Sequence, residues 1–341
     1  MDSSVVLAIA AQVARRNGLE APLPVTLRFP DAPSTQEDDW QERVIRHIGI
    51  DDWLRIELHD ELDIVGPYST AALLANGVAW PANNHLLAPI LERVPGATVL
   101  TGVDGDGLFS DWRWHAAMAL ITAPRTMGFR ELLPVGLALA PPAGRRAYLR
   151  RRRPPPDEVW PSWLTPVAAA AFRQRLLEDE AAEPFTWSAR VAWYARRRYV
   201  RHARDAIAAT TSLFGGTAAF PLLDDVFLAA VARSHRVRGF ASRSEAYAEL
   251  AGDLLPTSLI ERRDKAIFHQ VFIVGPTRAF AETWDGSGLP VQLVNAEQAR
   301  AEWLLPQPDF RSAMLLQQAW IRAHASATVP PGNQPKGVGH E

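Results

Sequence analysis

One stretch constrains this chain more than any other: Val99-Leu100-Thr101-Gly102-Val103-Asp104-Gly105-Asp106-Gly107-Leu108-Phe109-Ser110-Asp111. The apolar run from Ala97 to Leu100 predicts a short buried strand. Glycines and acids follow, and then Leu108, Phe109 and Trp112 resume an apolar helical spacing. The reading is strand, tight glycine loop, helix start. Ligands of open α/β sheets bind at the carboxyl edge of the strands, where such a loop sits. Gly102, Gly105 and Gly107 let a backbone approach a phosphate closely. Asp104 or Asp106 offers Mg²⁺ a carboxylate to complement phosphate oxygens. The same spacing also describes an ordinary strand-to-helix turn with an Asp cap, so this stretch alone leaves both readings open.

The rest of the chain narrows the class. Its 341 residues make one large domain or two ordinary ones, and 48% hydrophobic content supports a sizeable core. Lys+Arg number 36 against 38 Asp+Glu, a balance that gives no reason to expect a nucleic-acid partner. There is no cysteine, which excludes disulfides, thiolate metal sites and cysteine catalysis on this chain. That absence suits a reducing compartment, and the expected location is cytoplasmic. No apolar run approaches the roughly 18 residues of a membrane span. Met1-Asp2-Ser3-Ser4 lacks the basic opening of a signal peptide.

Asp2, Ser3 and Ser4 open a helical pattern through Arg16, closed by Asn17-Gly18. Strands are predicted at 25–29 and 53–58, and helices at 38–48, 69–74 and 84–93. Strands and helices alternating in this way mean a parallel, doubly wound sheet. After about residue 112 helical periodicity takes over. Ala140 to Pro161, rich in Pro and Arg, reads as a linker or solvated basic loop. Helices are predicted at 168–180, 187–211, 226–233 and 242–255. The division is an α/β core over 1–125, a linker over 126–165, a helical part over 166–329 and a disordered tail over 330–341. The 12 tryptophans read mainly as core, with a channel lining as the alternative.

Three anchors in order make the chain resemble the synthetase domain of the asparagine synthetases and their relatives, β-lactam synthetase and the lasso-peptide cyclases. Met1 to Ser4 matches the last four positions of that family's Ser-Gly-Gly-x-Asp-Ser-Ser pyrophosphatase loop. Thr101 to Asp111 matches its Ser-Gly-x-Gly-x-Asp-Glu-x-Phe-x-Gly motif. Phe220-Pro221-Leu222-Leu223-Asp224, then Leu254-Leu255-Pro256 and Arg262-Arg263-Asp264-Lys265-Ala266-Ile267-Phe268, look like its Pro-Phe-Leu-Asp and its Leu-Leu-Pro followed by Arg-x-Lys-x-x-Phe.

The resemblance implies an ATP pyrophosphatase-type sheet. It also implies a chemistry in which a carboxylate takes AMP from ATP, pyrophosphate leaves, and an amine displaces AMP. It assigns Asp2 and Asp106 to Mg²⁺, and Asp2, Ser3, Ser4, Leu27, Thr101 and Gly102 to ATP. Lys265 becomes the catalytic cation near the α-phosphate. The implied partners are ATP, an amino-acid or peptide carboxylate and a separate amine or ammonia source.

Several positions depart from the family pattern. The chain starts inside the pyrophosphatase loop, so the first strand of the expected sheet is missing from it, as from a gene called too short. No glutaminase cysteine is present. Gly107 replaces the family's Glu, and Ser110 and Asp111 replace its closing glycines. Thr217 and Ala219 stand where asparagine synthetases carry a Glu-x-Arg that serves the amino-acid substrate or the amine. These departures favour an acid other than free aspartate. Asparagine synthetase proper and an inactive remnant or scaffold are the competing readings.

Overall fold

The computed structural model describes residues 1–110, 112–122, 129–151, 160–262, 266 and 268–327. The chain opens with α1 (Asp2–Asn17), then β1 (Val25–Arg28), α2 (Asp38–Ile48), β2 (Leu54–Glu57), α3 (Pro67–Asn76), α4 (Ala88–Arg93) and β3 (Thr98–Leu100). After the glycine loop come α5 (Gly105–Phe109), α6 (His115–Thr122), α7 (Phe129–Leu139), α8 (Pro142–Arg151), α9 (Pro166–Ala182), α10 (Trp187–Ala195) and α11 (Arg198–Leu213). β4 (Thr217–Ala219) leads to α12 (Asp225–Ser234) and α13 (Arg243–Ala251). The C-terminal region adds α14 (Thr257–Ile260), α15 (His269–Phe272), α16 (Gly275–Thr283), α17 (Ala296–Trp303) and α18 (Ala313–Ala327).

The strands are parallel, as the alternation with helices predicts. β1 lies beside β2 with Val25 opposite Leu54 and Arg28 opposite Glu57. β3 lies beside β4 with Thr98 opposite Thr217 and Leu100 opposite Ala219. Among the described residues these are two separate ribbons rather than one continuous ladder.

Several boundaries follow from local chemistry. α1 stops at Gly18, whose φ of 63° is left-handed. The Gly18 and Leu19 N–H groups then bond the Arg15 and Ala14 carbonyls, satisfying two orphan acceptors of the helix end. α2 ends the same way at Gly49, φ 71°, with Asp38 and Asp39 in its first turn and Arg46 in its last, all favourable to the helix dipole.

Two sequence expectations need correction. The predicted helix over 187–211 is two helices, broken at Arg196 and Arg197, where Arg197 takes extended backbone (ψ 138°). The stretch read as a basic loop carries α8, started by Pro142 in the first turn, where a missing N–H costs nothing. α8 packs on α9, and its Arg145 is buried, with Nε on the Ala140 carbonyl at 2.8 Å and Nη1 reaching the Glu183 carbonyl at hydrogen-bonding distance. Arg152 to Pro156 and the predicted tail lie outside the described residues.

Two apolar cores result. One gathers Val5, Ala8, Leu108, Phe109, Trp187, Val191, Tyr194 and Tyr247 from α1, α5, α10 and α13. The other joins Ile56, Leu62 and Ile64 to Trp284, Trp303 and Leu316 from α16 to α18. Each draws on residues far apart in sequence. No helix among the described residues is long and apolar enough to cross a membrane.

Candidate functional site

The glycine stretch folds in the predicted order, strand β3, a tight loop, then α5, but β3 is not the buried strand expected: Thr98 and Leu100 are exposed and Val99 half-buried. Its backbone does something the spacing did not show. It packs directly against the first turn of α1, so that a Cβ at Gly102 would collide with the backbone of Asp2 and Ser3. At Gly105 an added Cβ would lie 2.7 Å from both the Asp2 Cγ and the Tyr247 Oη. The glycines thus bring the two candidate acid segments together. Asp104 turns the loop in the left-handed region, at φ 67°, a conformation that Asp tolerates better than most side chains.

α13 completes the arrangement. Ser242 caps it, its Oγ accepting from the Glu245 N–H at 3.1 Å, while the Glu245 carboxylate accepts from the Ala241 N–H. This Ser-x-x-Glu pairing fixes the helix start in the manner of a capping box. Arg243 is then the first residue of α13, and Tyr247, four residues on, shares its face. Arg243 Nη2 sits 2.9 Å from Asp2 Oδ1, and Nη1 sits 2.6 Å from Asp106 Oδ1. The Tyr247 hydroxyl donates to the same Asp2 oxygen. One guanidinium therefore bridges the two acids. Burial pushes the Asp2 carboxyl above its ordinary range, with Asp106 adding to the rise, while the Tyr247 hydrogen bond and the Arg243 charge pull it back.

Beside this bridge lies a second pair. Tyr194 Oη donates to Asp104 Oδ1 at 2.9 Å. Burial raises the Asp104 carboxyl against that one hydrogen bond. Its Oδ2 is buried with no hydrogen-bond partner, and so is Thr101 Oγ1. Arg190, 3% exposed, holds the far end of the loop through the Leu108 carbonyl at 2.6 Å and the Gly107 carbonyl at 3.3 Å.

A family model for asparagine synthase matches residues 1–325. The chain belongs to the asparagine synthase family. That membership brings with it ATP-dependent amide-bond formation, asparagine synthesis included, as the family's chemistry. Neither a search of curated proteins nor one of solved structures finds a match.

The asparagine synthase motif residues have separate fates. Asp2, Thr101, Gly102 and Asp106 come together at the loop, with Ser3 exposed and Ser4 half-buried in the same turn of α1. Leu27 lies on β1 opposite Ile56, in the other ribbon, half-buried against the second core. Lys265, with Arg263, Asp264 and Ile267, lies outside the described residues. Asp224 of the late motif caps α12, its Oδ1 accepting from the Val226 N–H at 2.9 Å and the Phe227 N–H at 3.2 Å. Arg262 pairs with Glu37 at 2.8 Å. Arg243, Tyr247, Tyr194 and Arg190 were not foreseen. The Ser242-x-x-Glu245 box was a visible signal for α13, but nothing local shows what its first residue would touch.

Among the described residues no three His, Asp or Glu side chains gather closely enough to hold a metal by themselves. Asp2 and Asp106 supply two carboxylates, a set that suits Mg²⁺ sharing its shell with phosphate oxygens.

Proposed function

We propose that the protein forms an amide bond by ATP-dependent, AMP-forming activation of a carboxylate, on a specialised or peptide acid rather than free aspartate. The observation that carries this reading is the Arg243 bridge, which brings Asp2 and Asp106, acids of two separate family motifs, onto one guanidinium. Asp2 and Asp106 would hold Mg²⁺, which would supply charge neutralisation for a leaving pyrophosphate. The chain's own residues do the positioning. The first turn of α1 offers backbone N–H groups and the exposed Ser3 hydroxyl to phosphate. Arg243 fixes the two acids relative to each other, one Nη group on each carboxylate. The unpartnered Thr101 hydroxyl and Asp104 oxygen are polar groups a bound ligand can satisfy. Lys265 we assign to the α-phosphate, on the motif match alone.

The acyl substrate is argued from β4. Thr217 and Ala219 occupy the positions of the family's acid and arginine, and without that pair a molecule as small as aspartate has few handles. The amine comes from a separate donor or from the substrate itself. We also place the two ribbons in one doubly wound sheet. Support comes from exposure: Leu100 of β3 is 43% exposed and all of β1 is only half-buried, whereas parallel strands are normally covered on both faces.

Pyrophosphate release tests the reading. Asp106→Asn keeps the side chain's size and removes its charge, and release is expected to fall at least a hundredfold. Activity retained within a few-fold would sink the metal assignment. Robust asparagine formation from millimolar aspartate, ammonium and ATP would return the protein to asparagine synthesis proper.

A further inference from the structure

The break between α10 and α11 faces an open cleft of about 870 Å³, also lined by the end of α3 and by Met314 of α18. Sites that bury drug-sized ligands run from roughly 300 to 1,000 Å³, so this one is larger than a single amino acid needs. Trp80, Trp193 and Tyr199 form an aromatic wall, and Arg196, Arg198 and His202 supply the polar side. Had the helix run unbroken, these side chains would not face one space.

The charges at this cavity are unequal. Arg197 is committed: it pairs with Asp179 at 2.7 Å and lies over Trp193 at 4.4 Å and Tyr199 at 4.9 Å. Asp205 pairs with Arg204 at 3.3 Å. Arg198 donates its Nε–H to His202 Nε2 at 3.1 Å. Arg196 is exposed, and among the described residues neither Arg196 nor Arg198 has a carboxylate partner. Two cations therefore stand uncompensated beside a flat apolar wall.

The cavity adjoins the candidate site. The Tyr199 ring stands edge-on to Tyr194 at 6.2 Å, and Tyr194 holds Asp104 of the glycine loop. α11 turns at Gly215 and Gly216 straight into β4 and packs back along it. Its first residues thus lie at the carboxyl end of β4, on the same side as the loop after β3.

We propose that this cavity holds the far end of the acyl substrate, and that this substrate is an acid bearing a second carboxylate beside a flat apolar group. The inference rests on the ligase reading above. The second carboxylate would take the Arg196 and Arg198 guanidinia in charge-assisted hydrogen bonds. The flat group would stack on Trp80, Trp193 and Tyr199, which gain from edge-on and offset ring contacts. Binding at this distance from the reacting carboxyl supplies the register that Thr217 and Ala219 do not.

The test uses the full chain and three defined probes: N-benzoyl-L-glutamate, its monocarboxylate counterpart N-benzoylglycine, and L-aspartate. Affinity is measured by calorimetry, and MgATP is titrated separately. N-benzoyl-L-glutamate is expected to bind at least about tenfold tighter than either comparison probe, in line with a hydrogen-bonded charge pair. The double variant Arg196→Gln, Arg198→Gln should erase that preference with circular dichroism unchanged, since both side chains are exposed. Trp193→Ala should weaken both benzoyl probes alike. Equal affinities for the three probes, no binding at all, or a preference surviving the double variant within twofold would overturn the proposal. If MgATP binds while the preference is absent, the cavity inference falls alone. If the preference holds but MgATP does not bind, the ligase reading falls, and the assignment of the occupant as an acyl substrate falls with it.

Discussion

Asp63 and Asp104 are both carboxylates taken out of water, and burial raises the pKa of both. Asp63, in the second core, receives the Val65 N–H at 2.9 Å and the Thr277 hydroxyl at 2.7 Å on one oxygen. Its other oxygen receives the Val274 N–H at 2.8 Å and the Thr277 N–H at 3.2 Å. Asp104 receives one donor, from Tyr194, and its other oxygen has none. The first carboxylate joins the 62–66 segment to α16 and has no capacity left over. The second is held in place and left short of partners. A buried acid with every lone pair engaged fastens the fold, and one left incomplete is available to a ligand.

The sharpest way to separate the two regions is to compare Asp106→Asn with Asp63→Ala. The first should cost at least two orders of magnitude in pyrophosphate release and leave the melting midpoint nearly unchanged. The second strands four buried donors and should cost about 4 kcal/mol of stability in denaturant titration. A stable Asp63→Ala protein would show that the knot is ornamental. The second core also carries a pH dependence of its own. His85, 1% exposed, has Nε2 3.0 Å from the Leu62 carbonyl, and burial pushes its ring down to about 4. The unfolded chain therefore binds the extra proton between about pH 6.5 and 4, and stability falls as pH falls through that window, by about 3 kcal/mol in all. Calorimetric midpoints at pH 7.0 and 4.5 should show most of that loss, and His85→Gln should flatten it. Asp104 contributes with the opposite sign: its raised pKa keeps the proton longer in the folded state, so its share is lost as pH rises from the ordinary carboxyl value. The smallest effect belongs to Tyr194→Phe, which removes one hydrogen bond and should lower stability by about 1 kcal/mol. A loss above 3 kcal/mol would mean that Tyr194 does more than support Asp104.

The sequence was most readable where chemistry is local. Gly18 stops its helix as expected, the helix predicted over 38–48 forms and ends at Gly49, and the 101–106 stretch makes the predicted turn. The break at Arg196 and Arg197 was hidden, because Ala195 to Val200 contains no Gly or Pro to announce it. α8 was hidden for the converse reason, since its proline, glycine and arginines imitate a loop until Arg145 finds carbonyls to bond. Arg243 shows the general difficulty. A capping box tells where a helix begins, but only tertiary packing tells that its first side chain will meet an aspartate from the other end of the chain.

The pairing of β3 with β4 also orders events in time. Thr98 meets Thr217, so a long loop must close before the ladder returns any hydrogen bonds, and such closures are slow. During synthesis, α1 and the glycine loop emerge well before Arg243 and Tyr247 exist to hold Asp2. The site is thus assembled last, from its C-terminal side. An interrupted chain carries both acids and yet lacks the clamp that orients them, which makes nucleotide affinity a reporter of completed folding.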